Sequence, residues 1–131
     1  MRFLLDANVV IALLNDTAST LARRARRERP SDVAISSIVA HELFYGAFKS
    51  RRAAQNTALV DALQFTVLEF DKEDARRAGE IRAYLAAKGT PIGPYDVLIA
   101  GQALARDMAL VTRNTREFRR VPGLRVENWE G

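Results

Sequence analysis

Phe3-Leu4-Leu5-Asp6-Ala7-Asn8 is a short apolar run that stops at an acid, and helical patterning follows at once in Val9, Val10, Ile11, Ala12, Leu13 and Leu14. An apolar run bounded by polar residues reads as a buried strand, so Asp6 sits at a strand's carboxyl end. In open parallel α/β sheets ligands bind at that edge, where strand ends and helix amino termini converge. A carboxylate there is a candidate handler of metal or phosphate. Helix capping explains Asp6 as well, because Asp accepts hydrogen bonds from the first free amides of a helix. A functional reading therefore needs other acids placed the same way.

The chain supplies them further along. Val33-Ala34-Ile35-Ser36 reads as a second buried strand, and Ser37 as the cap of a helix from Ile38 to Lys49. Glu42 then lies about one turn into a helix that begins at a strand's carboxyl end. Arg51 to Leu63 patterns as a helix with Ala54, Leu59, Val60 and Leu63 inward, and Phe65 to Phe70 alternates as a third strand. Asp71 caps a long helix to about Ala87, ended by Gly89. Two prolines and a glycine stiffen Thr90-Pro91-Ile92-Gly93-Pro94-Tyr95-Asp96, which delivers Asp96 to the amino end of an apolar helix, Val97 to Arg106. Met108 to Thr112 is a fourth strand, followed directly by Asn114 and Glu117; a turn and a capping box explain that pair equally well. Leu124-Arg125-Val126 reads as a final edge strand, with Trp129 packing at the end of the chain.

Strands alternating with helices imply an α/β domain: a mainly parallel sheet of four to five strands with helices on both faces, a single domain over residues 1–131. Right-handed crossovers bring the strands' carboxyl ends to one edge, where Asp6, Glu42, Asp96 and Asn114 converge. Three carboxylates without a neighbouring Lys or Arg in sequence repel one another unless a hard cation sits among them. Mg²⁺ suits such a cage, with Mn²⁺ as a substitute, and phosphodiester hydrolysis is the chemistry such ions support.

Composition bounds the partners. With 131 residues, 48% hydrophobic and 27% charged, the chain is ordinary for a globular protein. No cysteine and a single histidine, His41, leave oxygen as the only donor type for a metal. The net charge of +4 points to a polyanionic partner. Arg23, Arg24, Arg26 and Arg27 are candidate phosphate contacts, or else a solvated helix face. The aromatics Phe44, Tyr45, Phe48, Phe65 and Phe70 read as core or subunit interface. No apolar run approaches the roughly 18 residues of a membrane span and no signal pattern precedes the first strand, so the expectation is a cytoplasmic protein with no membrane partner.

FLLDAN at 3–8, SSIVAHELFYGA at 36–47, PIGPYDVLIAG at 91–101 and VTRNTREF at 111–118 resemble the PIN-domain ribonucleases, specifically the VapC toxins of bacterial type II toxin-antitoxin pairs. The resemblance covers almost the whole chain, and PIGPYD is its most specific block. It implies a PIN-like three-layer domain and a Mg²⁺-dependent endoribonuclease that cuts structured RNA such as tRNA or rRNA. It further implies a cognate VapB-type antitoxin covering the acidic pocket, a homodimer, and promoter DNA bound only through the antitoxin complex. By position, Asp6 and Asp96 become the principal metal ligands, Glu42 completes the pocket, Asn114 takes the place of a fourth acid, and Asn8 orients groups near Asp6. The chain departs from the family pattern at Ala7, where a hydroxyl is common, and at Asn114, which is neutral; Glu117 is the nearest spare carboxylate. Two other readings stand beside this one: a phosphatase of haloacid-dehalogenase type using Asp6 as nucleophile, and a non-catalytic nucleic-acid-binding module.

Overall fold

The computed structural model describes residues 1–130. Among them the strands are β1 (Phe3–Leu5), β2 (Val33–Ser36), β3 (Thr66–Leu68), β4 (Ala109–Val111) and β5 (Val126–Glu127). They form one sheet in the order β3-β2-β1-β4-β5, parallel at every pairing, with Phe3 opposite both Val33 and Ala109 and Leu5 opposite Ile35 and Val111. β1, β2 and β4 are buried at every residue. Continuous burial replaces alternation because both faces of a parallel sheet are covered by crossover segments.

The helices are α1 (Ala7–Asn15), α2 (Thr20–Arg26), α3 (Ser37–Lys49), α4 (Ala53–Asp61), α5 (Lys72–Ala87), α6 (Pro94–Ala105) and α7 (Thr115–Phe118). The strand order reverses beside β1: β2 and β3 are laid down on one side of it, β4 and β5 on the other. With right-handed crossovers the two halves cover opposite faces, giving three layers, and a crevice opens at the carboxyl ends of β1 and β4.

Local chemistry sets the element ends. Asp6, Ser19, Ser36 and Asp71 each cap a helix through a side-chain oxygen, and Asp71 and Asp74 form a reciprocal capping box at α5. The cap of α3 is Ser36, one residue before the expected Ser37. The Ser37 hydroxyl instead accepts from the Phe70 amide at 3.2 Å, tying α3 to the segment after β3. The third strand is shorter than Phe65 to Phe70 and largely exposed, with Val67 at 48%, because it is a sheet edge. Ala54 and Leu59 face outward rather than inward, while Val60 and Leu63 pack on the core. α6 begins at Pro94, earlier than expected, since proline is preorganised for the first helical turn. The final strand is displaced to Val126–Glu127, and Trp129 packs edge-on against Phe3 at 5.0 Å.

α5 and α6 meet through Gly101, where a Cβ would lie 2.5 Å from the backbone nitrogen of Ala78 and 2.6 Å from its Cα. Beside this crossing, Asp74 is 1% exposed and receives Nε2 of Gln102 at 3.2 Å and the Arg106 guanidinium at 3.0 Å; Arg106 also donates to the Glu69 carbonyl at 2.8 Å. This network fixes the carboxyl end of α6 against the start of α5.

Because the neighbour of Gly101 is backbone and cannot rotate away, Gly101→Ala is expected to destabilise the protein by about 1–3 kcal/mol, the usual cost of overpacking. Gly46→Ala, with nothing within 4 Å of the added atom, is expected to be neutral or stabilising by roughly 0.5–1 kcal/mol. Urea midpoints for the two variants check the contrast.

Candidate active site

The carboxyl end of β1 aims Asp6 into the crevice between β1 and β4. The side chain is 5% exposed and held from two directions: the Ala7 amide donates to Oδ1 at 2.8 Å and the Thr112 hydroxyl to Oδ2 at 2.9 Å. Thr112 is itself 1% exposed, and its hydroxyl accepts from the Asn114 amide at 3.0 Å. Asp6 is thus both a helix cap and a member of the acidic cluster, so the two sequence readings are compatible. Its pKa is raised by burial, an effect partly offset by these two hydrogen bonds.

Glu42 arrives from α3 and Asp96 from the first turn of α6, both half-buried. Burial, then the charge of Asp6, then that of Asp96 push the Glu42 carboxyl up to about 7. Burial, then Asp6, then Glu117 push Asp96 up to about 6. Four acids from four separate elements therefore share one electrostatic site. Asp96 does not cap its helix: the cap position is Gly93, with no side-chain bond. That removes the alternative explanation for this residue, whose carboxylate folds back over Gly93.

Oε1 of Glu42 is buried without a hydrogen-bond partner among the described residues. Leaving such an atom unpaired is costly, and the cost rises when a carboxylate is charged. An all-oxygen donor set with one acceptor oxygen unsatisfied and like charges facing one another matches a hard divalent cation. Among the described residues, no three acidic side chains stand at the spacing of a closed ligand cage. The carboxylates lie within Coulombic reach of one another but do not form a completed coordination shell.

Of the remaining candidates, Asn114 occupies the cap position of α7 and its side-chain amide donates to Oε2 of Glu117 at 2.8 Å. That bond orients Glu117, which acts on Asp96 through its charge. Asn8 is exposed on α1 and makes no side-chain hydrogen bond to Asp6; the Ala7 amide and Thr112 hydroxyl orient that carboxylate instead. Thr112, the residue after β4, thus supplies the hydroxyl donor to this carboxylate. His41 is exposed beside Tyr95, ring centroids 5.5 Å apart.

The arginine run divides. Arg24 pairs with Glu28 and lies over the Trp129 ring at 4.6 Å, so it serves the fold. Arg26 donates to the Thr17 carbonyl at 2.8 Å, and Arg23 reaches Thr20 at 3.4 Å. Arg23, Arg26 and Arg27 are exposed. Tyr45 and Phe48 are 61% and 68% exposed, which removes them from the core.

The two raised carboxyls fix a sign for pH dependence. Glu42 and Asp96 hold protons in the folded state at pH values where the unfolded chain has released them. The stability these two groups contribute is therefore fully present below their ordinary values of 4.5 and 3.8, and is lost as pH rises through about 6 for Asp96 and about 7 for Glu42. Urea midpoints in chelator between those limits are expected to fall with pH, and Glu42→Gln to flatten the upper part; a midpoint that climbs over this interval contradicts the arrangement. A second expectation concerns Thr112. Thr112→Val is expected to cost about 1–3 kcal/mol by stripping a buried carboxylate oxygen of its donor, with Thr112→Ser retaining most of the stability.

Comparison with known proteins agrees with the architecture and the chemistry. A family model for the PIN domain matches residues 3–124. The chain is 43% identical to the tRNA(fMet)-specific endonuclease VapC of Salmonella typhimurium over 98% of both chains, and 35% identical to the ribonuclease VapC2 of Rickettsia felis over 99% of both. The crystal structure of DNA-bound VapBC from Salmonella typhimurium superposes with a TM-score of 0.93, again at 43% identity and 98% coverage of each chain. Divalent-metal dependence is general among such nucleases. Neither a phosphatase nor a non-catalytic binding module accounts for this agreement over the full length. The chain belongs to the VapC family of PIN-domain ribonuclease toxins.

Proposed function

We propose that Asp6, Glu42 and Asp96 hold the divalent cation of this ribonuclease, Mg²⁺ with Mn²⁺ as substitute, and that Asn114 and Glu117 complete the rim of the site. The observation that carries the reading is the unpaired, buried Oε1 of Glu42, a residue within Coulombic reach of Asp6 and Asp96. When bound, such a cation supplies Lewis-acid polarisation of the scissile phosphate and neutralises the charge that develops there. The protein's own part is preorganisation. Thr112 and the Ala7 amide fix Asp6, α6 presents Asp96 from its first turn, and the Asn114 amide keeps Glu117 turned toward the cluster. The burial of Asp6 and the partial burial of Glu42 and Asp96 limit the water that competes for the carboxylates.

The substrate in this reading is a structured RNA, and the endonucleases named for tRNA(fMet) among the relatives make an initiator tRNA the first to assay. Exposed Arg23, Arg26 and Arg27 supply phosphate contacts by charge. The partner is a VapB-type antitoxin, supported by the VapBC complexes among the structural relatives, two of them with DNA. A basic side chain from that partner would pair with the mutually repelling acids. Exposed Tyr45 and Phe48 on α3 suit a protein contact, in keeping with a homodimer. No helix of the described residues is long and apolar enough to cross a membrane, in keeping with action in the cytoplasm.

Cleavage of tRNA by the purified protein is expected to require Mg²⁺ or Mn²⁺, to stop with chelator, and to be lost in Asp6→Ala and Asp96→Asn. Thermal melts add a readout independent of turnover. Asp96→Asn removes one repelling charge and is expected to raise the melting temperature in chelator at neutral pH. Saturating cation should stabilise the unmutated protein by about 2.7 kcal/mol at a hundredfold excess over Kd, and the variant much less. Equal cation shifts in both proteins would remove Asp96 from the metal site.

A further inference from the structure

Four other helices in this fold are capped by a side-chain oxygen, but α6 starts from Gly93 with no such bond. Ser, Asp or Asn would ordinarily be preferred there. The backbone does not demand glycine: φ of −56° and ψ of 152° are open to any L residue. What glycine supplies is space. A Cβ at this position would lie 2.9 Å from Oδ2 of Asp96 and 3.4 Å from its Cγ, and those side-chain atoms of Asp96 are the nearest things it would meet.

Real Cβ atoms essentially never approach so closely, so something must move. The obstructing atom is the far end of a rotatable side chain, not backbone. The helix can therefore tolerate a larger residue at 93 provided that the Asp96 carboxylate leaves its present position. This differs in kind from Gly101, where the obstruction is the main chain of Ala78 and the whole α5–α6 crossing is at stake. The loop itself is fixed independently, by the Thr90 amide on the Leu85 carbonyl at 2.9 Å and by Arg120 on the Pro91 carbonyl at 3.1 Å.

We infer that Gly93 is a positioning residue for the metal site: its missing side chain lets the Asp96 carboxylate fold back over the helix start into the orientation shared with Asp6 and Glu42. The inference rests on the reading of Asp96 as a metal ligand. It adds that the PIGPYD loop is constrained at 93 by the carboxylate's geometry rather than by backbone conformation or capping.

The test compares Gly93→Ala, Gly93→Ser and Asp96→Asn with the unmutated protein, using Mn²⁺ titration and melts with and without cation, alongside tRNA cleavage. Both Gly93 variants are expected to melt in chelator close to the unmutated protein, Gly93→Ser slightly higher because its hydroxyl adds a cap. Both are expected to lose about ten- to a hundredfold in Mn²⁺ affinity, the usual effect of disturbing a group that orients a ligand. At sub-saturating cation, kcat should fall while KM for tRNA holds. Gly46→Ala, whatever small rise it gives the melting temperature, should leave Mn²⁺ affinity and cleavage unchanged. Unaltered Mn²⁺ affinity in Gly93→Ala, or recovery of affinity in Gly93→Ser through its cap, overturns the inference. If Asp96→Asn itself leaves Mn²⁺ affinity untouched, the ligand reading fails instead, so the two failures are distinguishable.

Discussion

The hydroxyl of Thr112 donating to Asp6 joins the ends of the two strands between which the chain reverses its direction of winding. A carboxylate at 5% exposure would be expensive to leave without donors. Two donors from two elements hold it in place and select one rotamer. The same burial that raises the cost of charging Asp6 also strengthens its influence on Glu42 and Asp96, since charges interact more strongly where water is scarce. The acidity of the site, its orientation and its opposition to the folded state's stability therefore have a common origin. A protein that accepts such repulsion at one place needs compensating stability elsewhere.

That stability is concentrated along α6. Its carboxyl end is fixed by the Asp74–Gln102–Arg106 network, its middle by the glycine contact with α5, and its start by the rigid loop through Pro91. Breaking one partner of a buried ion pair is commonly far more costly than the pair's net worth. The ion pair at Asp74 thus acts less as a source of energy than as a constraint on where the helix may lie. Asp96, about one and a half turns from Gly101 on the same rigid rod, inherits that constraint. Placement of the acid at the start of the helix is obtained by packing at its remote end.

Much of this could be read from the residues in order, for identifiable reasons. Asp6 sits where an apolar run gives way to a helix, Glu42 about a turn into the helix after the second strand, and Asp96 at the end of a loop stiffened by prolines and a glycine, so local pattern located them and the parallel topology brought them together. Thr112 escaped notice because a threonine at a strand end carries no periodic signal, and its partner lies 106 residues away in the chain. Asp74, Gln102 and Arg106 were missed likewise: on a helical wheel Asp74 belongs to a charged surface, and only the approach of α6 buries it. The cap of α3 differed by one residue because Ser36 and Ser37 are chemically equal, and the choice falls to the Phe70 amide. The arginine run was least informative in sequence, since position alone does not tell that Arg24 turns inward while Arg27 faces solvent.

The single tryptophan has a further consequence. Trp129 rests on Phe3, at the opposite end of β1 from Asp6, beneath the Arg24 guanidinium and with its indole nitrogen donating to Glu127 at 3.0 Å. Its surroundings change when the last strand detaches from the sheet, and hardly at all when a carboxylate rotates in the crevice. Intrinsic fluorescence of this chain thus reports the docking of its carboxyl-terminal segment as an optical signal of its own. Emission and metal occupancy are separable observables, and an additive that shifts one without the other reveals at which end of the strand it acts.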